Sequence, residues 1–349
     1  MQNTLYLWPF LTAIALTIVW NLLLLAFSSS FFQLRRWRGG VRHQGKEMLP
    51  RLGGVAMGLA FLGAVSFDTH LVITREILGL LVAGVVACLF GLWDDFRELS
   101  FKAQALLQVG LTTILFVFGM RITTLKNPFG EMLIFSEENA WSVFLGFILL
   151  LIWTILVMNA VNWLDGSDGL LGGVSFITFF VIFFLSLKPE VNQPPVAILA
   201  IVSVGLTMGF LLFNFHPAKI LAGTSGSMLI GLIIAALAII AGTKIATALL
   251  VLSLPIADAL WVIGERLHSG QSVFDPDKRH LHYRLRDLGW SEGRIAWFFF
   301  FLTALIGAIA LFTEALGKFI AFPLVFGMIF VFLLYVHQKA KYKQSVSVV

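Results

Sequence analysis

Eleven stretches of this chain are each long and apolar enough to cross a bilayer as a helix. They fall at about 4–27, 48–67, 74–93, 103–120, 143–160, 168–187, 196–213, 225–241, 245–264, 295–312 and 318–337. A hydrocarbon core of roughly 30 Å needs about 20 apolar residues of helix. The runs are continuous instead of alternating, which excludes the strands of a membrane β-barrel. Composition agrees, with 12% charged and 59% hydrophobic residues and a mean hydropathy of +0.92. Soluble domains carry about 25% charged residues, so a soluble globular enzyme and a disordered chain are both excluded. Cys88 is the only cysteine, and no internal disulfide can form. The first run is too long for a signal-peptide core and no small-residue cleavage site follows it, so it reads as an anchor. No repeat, low-complexity tract or soluble segment stands out. The expectation is an all-α polytopic helical bundle in which residues 1–349 form one membrane domain, with the motifs between about 50 and 294.

Lys and Arg set the orientation. With the N-terminus outside, 18 of the 24 cations fall on the cytoplasmic side: Arg35, Arg36, Arg38, Arg42, Lys46, Arg51, Arg97, Lys102, Lys219, Arg266, Lys278, Arg279, Arg284, Arg286, Arg294, Lys339, Lys341 and Lys343. The other 6 are Arg75, Arg121, Lys126, Lys188, Lys244 and Lys318. An odd number of crossings then leaves the C-terminus inside. The net charge of +5 is this loop bias, with no need of nucleic-acid affinity to explain it.

Ionisable groups near lipid are costly and mark function. Several polar clusters, each at a helix end, land on the cytoplasmic side of this topology, which points to one site there. Gly91-Leu92-Trp93-Asp94-Asp95 ends the third run. Neighbours on a helix point about 100° apart, so the two carboxylates should have different tasks. Lys102 lies seven residues after Asp95 and shares its face if the helix continues; a salt-bridged helix end is the plainer reading. Asn159, Asn162, Asp165 and Asp168 recur every three residues, one helical face up to Gly166. Their hard oxygens suit Mg²⁺, whereas an Asx-rich turn with a cap would need no metal.

Asn214, His216, Lys219 and Gly223-Thr224-Ser225-Gly226-Ser227 precede another run. Such a loop can cradle phosphate at a helix start, or its small residues can simply pack helices. The longest inside loop carries Asp275, Asp277, Lys278, Arg279, His280, His282 and Arg284, and its two His with the three cations could grip an anionic ligand. A basic loop lying on anionic headgroups is the alternative. Asp258, inside the ninth run, should face the bundle interior and a partner.

In this order the clusters resemble the polyprenyl-phosphate N-acetylhexosamine-1-phosphate transferases, which include the phospho-MurNAc-pentapeptide translocase. The resemblance covers roughly 70% of the chain, from Pro50-Arg51-Leu52-Gly53-Gly54 to Arg294. It rests on Asp94-Asp95 with Leu99, Ser100 and Lys102, on Asn159 to Leu170, and on Pro217-Ala218-Lys219 with the Gly223 loop. Pro255, Asp258, Arg266, Gly270-Gln271-Ser272 and His280-Leu281-His282 complete it.

It implies attack of a polyprenyl phosphate on the β-phosphorus of a UDP-sugar, most simply UDP-GlcNAc, with UMP leaving. The lipid-linked product would start a cell-envelope glycan, at the cytoplasmic face of the inner (plasma) membrane. Asp94, Asp95, Asp165, Asp168 and His280 are the implied catalytic residues. Lys102, Asn159, Asn214, Lys219, Gly226, Arg279 and His282 are the implied substrate contacts. Mg²⁺, or Mn²⁺ in its place, would be held by Asn162, Asp165, Asp168 and the position of Thr224. The chain departs from the family pattern there, since relatives carry Asp, and at Tyr283, where relatives often carry a third His. Partners would be the UDP-sugar, the polyprenyl phosphate, the bilayer and a second copy of the chain, with no nucleic acid. Three other readings remain: the same chemistry on another UDP-N-acetylaminosugar; a transporter, which calls for mid-span charges and internal repeats; and an inactive homologue, suggested by Thr224.

Overall fold

The computed structural model describes residues 2–32, 43–44, 47–125, 127, 130–136, 138–242, 244–272 and 279–346. Asp275, Asp277, Lys278 and the cations Arg35, Arg36, Arg38, Arg42, Lys46 and Lys126 lie outside them. Among the described residues thirteen helices follow one another: α1 (Gln2–Phe32), α2 (Gly53–Phe67), α3 (Arg75–Arg97), α4 (Phe101–Val117), α5 (Ala140–Leu164), α6 (Leu170–Leu187), α7 (Pro194–Asn214), α8 (Gly223–Ile240), α9 (Ile245–Val251), α10 (Ser253–His268), α11 (Leu281–Asp287), α12 (Glu292–Phe312) and α13 (Ala315–Val346). Two short antiparallel ladders join them: β1 (His43–Gln44) with β2 (Glu47–Met48), and β3 (Thr124–Leu125) with β4 (Leu133–Ile134).

The chain is a polytopic helical membrane protein. Among the described residues eight helices are long and apolar enough to cross, or nine if α9 and α10 form one span. Three of the eleven expected spans come out differently. The run at 245–264 is bent by 75° between α9 and α10. Pro255 has no N–H for the Val251 carbonyl and its ring clashes with it, so one straight helix cannot run through. The run at 103–120 is the 17-residue α4, ended by Gly119 at φ +98°.

The run at 48–67 is the 15-residue α2, which starts only at Gly53. There the backbone is committed elsewhere: Gly53 N–H and Gly54 N–H donate to the carbonyls of Leu221 and Ala222, and Leu221 N–H donates to that of Pro50, all at 2.9 Å. At about 1.5 Å per residue, α2 and α4 reach roughly 22 and 25 Å, short of a full hydrocarbon core.

Helix α8 is the centre of the bundle, with 89% of its span buried. It is apolar all round, as a helix surrounded by helices must be, and α2, α3 and α5 pack against it. Glycines set these contacts at backbone distance. A Cβ on Gly54 of α2 would fall 2.0 Å from Gly226 N, and one on Gly91 of α3 would fall 2.4 Å from Ser225 Cα. The first turn of α8 is thus clamped between α2 and α3, and the C-terminal ends of α3 and α5 meet it there.

Candidate active site

The clamp brings carboxylates to the start of α8. The N-cap residue Ala222 offers no side-chain acceptor, so the first N–H groups of the helix need partners from elsewhere. One turn beyond Gly91, Asp95 accepts from Thr224 N–H at 2.8 Å and Ser225 N–H at 3.1 Å, and from the Ser225 hydroxyl at 3.1 Å. Asp165, at the end of α5, accepts from Gly223 N–H at 3.0 Å. Gly223 sits at φ +70°, and a Cβ on it would lie 2.5 Å from the Asp95 carboxylate. Two carboxyl groups, Asp95 buried and Asp165 half-buried, therefore rest on the positive end of a helix, which favours their charged form. The Arg51 guanidinium lies 3.9 Å from Asp95.

The adjacent aspartates do have different tasks. Asp94 closes the α3–α4 turn, accepting from Leu99 N–H at 2.9 Å and Gln104 Nε2 at 3.0 Å. Its other oxygen takes the Thr224 hydroxyl at 2.6 Å. The turn also separates Lys102 from Asp95: α3 stops at Glu98, which adopts φ +49°, and Lys102 is exposed on α4. The shared helical face expected for this pair does not exist.

Asp95, Asp165 and Thr224 line a cavity of about 550 Å³. Amides form another wall. Asn159 and Gln108 exchange hydrogen bonds at 3.0 and 3.3 Å, and Asn162 Oδ1 takes the Ser227 hydroxyl at 2.6 Å. The α10–α11 side supplies His280 and His282, with Arg266 at the end of α10. Asp258 orients His280: Oδ2 lies 2.9 Å from Nδ1 while Oδ1 accepts Leu281 N–H at 2.8 Å. A carboxylate only accepts, so Nδ1 carries the proton, and in the neutral ring Nε2 is the nitrogen with the lone pair. Asp258 thus has the interior partner expected of it. Trp163 stacks on His280 at 5.4 Å, and the His282 ring lies parallel to that of His280 at 6.1 Å. His282 fits against bare backbone, since a Cβ on Gly166 would fall 2.2 Å from its Nε2.

Seven of the expected site residues are therefore brought together: Asp95, Asn159, Asn162, Asp165, Thr224, His280 and His282. The others are placed elsewhere. Asp168 is buried but turned to the α7–α8 connection, where it bonds His216 Nδ1 at 2.9 Å and Ala218 N–H at 3.1 Å. Asn214 ties Gly169 N–H to the Ile220 carbonyl. Lys219 is exposed outside the cavity. Gly226 is sealed under Gly54. Arg279 donates to Gln271, away from the cavity.

The phosphate cradle expected at the Gly223 loop is filled already, because the N–H groups of residues 223–225 are held by Asp95 and Asp165. Gln104, Gln108 and Trp163 line the cavity and were not singled out from the sequence. Two glutamines four residues apart in an apolar run were the available signal for the first two.

Among the described residues no group of three or more His, Cys, Asp or Glu could hold a metal by itself. Two carboxylates with amide oxygens do suit Mg²⁺, which usually takes one or two carboxylates and completes its shell with water and substrate phosphates.

Comparison with known proteins places this geometry in context. Residues 77–242 match the model of glycosyl transferase family 4. A decaprenyl-phosphate N-acetylglucosaminephosphotransferase of Mycobacterium leprae is 35% identical over 276 residues, covering 70% of this chain and 68% of that protein. A probable undecaprenyl-phosphate N-acetylglucosaminyl 1-phosphate transferase of Bacillus subtilis is 30% identical over 252 residues, with 70% and 68% covered. A phospho-N-acetylmuramoyl-pentapeptide-transferase of Halalkalibacterium halodurans is 31% identical over 300 residues, with 81% and 89% covered.

Proposed function

The chain belongs to glycosyl transferase family 4, and from that premise we propose that it transfers N-acetylglucosamine 1-phosphate from UDP-GlcNAc to a polyprenyl phosphate. The observation that carries the reading is the cavity where Asp95, Asp165 and the Asp258-held His280 converge at the helix ends. A lipid substrate keeps its tail in hydrocarbon, so its phosphate can be met only at such a boundary. A phosphate oxygen of the acceptor forms a bond to the β-phosphorus. The bond from that phosphorus to the bridging oxygen breaks, and UMP leaves with the electron pair. Arg51 and Arg266 supply positive charge in the walls, and His280 offers Nε2 to a proton in the cavity.

Asp95 and Asp165, with the amide oxygen of Asn162, are the residues that would hold Mg²⁺. Bound there, the ion would supply charge neutralisation for the diphosphate. In the bilayer we place the site on the cytoplasmic face of the inner membrane, with the N-terminus outside and α2 and α4 counted as short crossings. A reporter fused after the C-terminal residue Val349 should then read cytoplasmic.

The direct test uses the purified full chain with UDP-GlcNAc and undecaprenyl phosphate. The expected products are UMP and a lipid-linked GlcNAc diphosphate. Transfer from another UDP-N-acetylaminosugar but not from UDP-GlcNAc would correct the donor. No transfer and no exchange of labelled UMP into any UDP-sugar would overturn the enzyme reading.

A further inference from the structure

A second cavity, apart from the candidate site, lies beyond the far end of α8. Helix α8 runs from Gly223 and Thr224, in the candidate site, to Ile240, just before Gly242 in the wall of this second cavity. Eighteen residues of helix separate the two by about 27 Å. The second cavity measures about 1000 Å³ and is bounded by the end of α6, the α8–α9 connection, the α12–α13 connection and the β3–β4 hairpin.

Its lining has two chemistries. Leu185, Leu249, Phe319 and Phe322 make it largely apolar, and Phe312 and Phe319 continue onto the outer surface at 88% and 49% exposure. Against this stand Lys188, Lys244 and Lys318, which are three of the six cations the sequence assigns to this side, facing Glu190 and Glu314. Lys188 donates to the Leu311 carbonyl, a neutral acceptor that fixes the ammonium without cancelling its charge. Lys318 is held by the Thr247 hydroxyl at 2.7 Å. Lysines are costly beside hydrocarbon, and these gather instead of dispersing. An apolar chamber that opens toward lipid and carries ammonium groups at its rim matches a molecule with an acyl body and an anionic head.

We propose that this cavity is a binding site for an anionic phospholipid of the leaflet opposite the candidate site, its phosphate held by Lys188, Lys244 and Lys318. A phospholipid is favoured as the occupant because the bilayer presents it to the open apolar wall in bulk.

The test reconstitutes the full chain in nanodiscs of equal phosphatidylglycerol and phosphatidylcholine, then counts retained lipids by native mass spectrometry. Wild-type protein should keep a phosphatidylglycerol in excess over phosphatidylcholine. Lys188→Gln, Lys244→Gln and Lys318→Gln should each weaken that retention, by about fivefold per lysine near an anionic lipid. Arg75→Gln removes a cation at the same membrane face but outside the cavity, and should change nothing. Each single variant is read beside its own melting curve, so the result does not depend on a triple variant folding. Three results would overturn the proposal: equal retention of the two lipids by wild-type protein, the same loss in Arg75→Gln as in the lysine variants, or displacement of the phosphatidylglycerol by an equimolar amount of undecaprenyl phosphate.

Discussion

Replacing Asp258 by Asn tests the reading of His280 with almost no change in volume. The carboxylate has two tasks on two oxygens, taking the His280 Nδ1 proton at 2.9 Å and the Leu281 N–H at 2.8 Å. An amide has a single acceptor oxygen and cannot do both. If that oxygen stays on Leu281, the amide NH₂ faces Nδ1, and His280 must move its proton to Nε2. The lone pair offered to the cavity is then lost. If the amide flips, a buried backbone N–H loses its acceptor, at a cost of about 1–3 kcal/mol. A positioned acid–base group contributes roughly 10²–10⁴ to rate, so turnover should fall by about 100-fold or more, with a smaller change in KM for the UDP-sugar.

The assay is initial-rate UMP release by the purified variant, beside thermal melting in the same detergent. Asp258 acts through His280, so it is a positioning residue, and a double-mutant cycle separates this from general damage. On a His280→Ala background, Asp258→Asn should cost little more. Near wild-type turnover in Asp258→Asn, or losses that add in full in the double variant, would refute the reasoning.

Three further outcomes follow from the same geometry. Gly166→Ala should reduce turnover at least about tenfold, because its Cβ would fall 2.2 Å from Nε2 of a His282 that is 2% exposed and cannot swing away; rate measurements on inserted, folded protein check this. The adjacent aspartates should separate: Asp95→Asn is expected to lower turnover about 100-fold, whereas Asp94→Asn should act mainly on the melting temperature, by loosening the α3–α4 turn at about 1–3 kcal/mol. Thr224→Asp puts a third carboxylate beside Asp94 and Asp95, so it should melt lower in chelator and gain more from added Mg²⁺ than the wild type does; equal Mg²⁺ shifts in the two proteins would show that position 224 does not face the metal.

Much of the fold was legible because bilayer physics leaves few choices. A long apolar run must be a helix, and the eight long spans stand where the runs are. The departures were local. Pro255 sits in the sequence as a visible breaker, but an apolar window that counts only hydropathy passes over it. The shortening of α2 was not visible at all, because it depends on Pro50–Gly54 pairing with residues 221–222, some 170 positions away. Site residues were legible where expense pointed at them: paired aspartates, asparagines in an apolar helix, an aspartate within a span. Spacing could not say which carboxylates face the cavity and which serve the loops. Asp165 and Asp168 lie three residues apart, yet α5 ends at Leu164 and Gly166 intervenes, and Asp168 turns to His216.

The Gly223 loop shows why such a distinction matters for mechanism. Helix N-termini bind phosphate because their first N–H groups are unpaired and the helix dipole favours negative charge. Both properties attract a carboxylate just as well, and a carboxylate carried by the same chain is always present. Asp95 and Asp165 take that position here, so the first N–H groups of α8 are already engaged by side chains. Under the proposed reaction the positive charge left to meet a substrate diphosphate would come from the walls, where Arg51 and Arg266 line the cavity. A donor diphosphate and an acceptor phosphate would bring several more negative charges into a site partly shielded from water, where repulsion is strong. Under the proposed reaction a divalent cation would supply countercharge, and the amide and carboxylate oxygens of Asn162 and Asp165 are where this chain could offer it ligands.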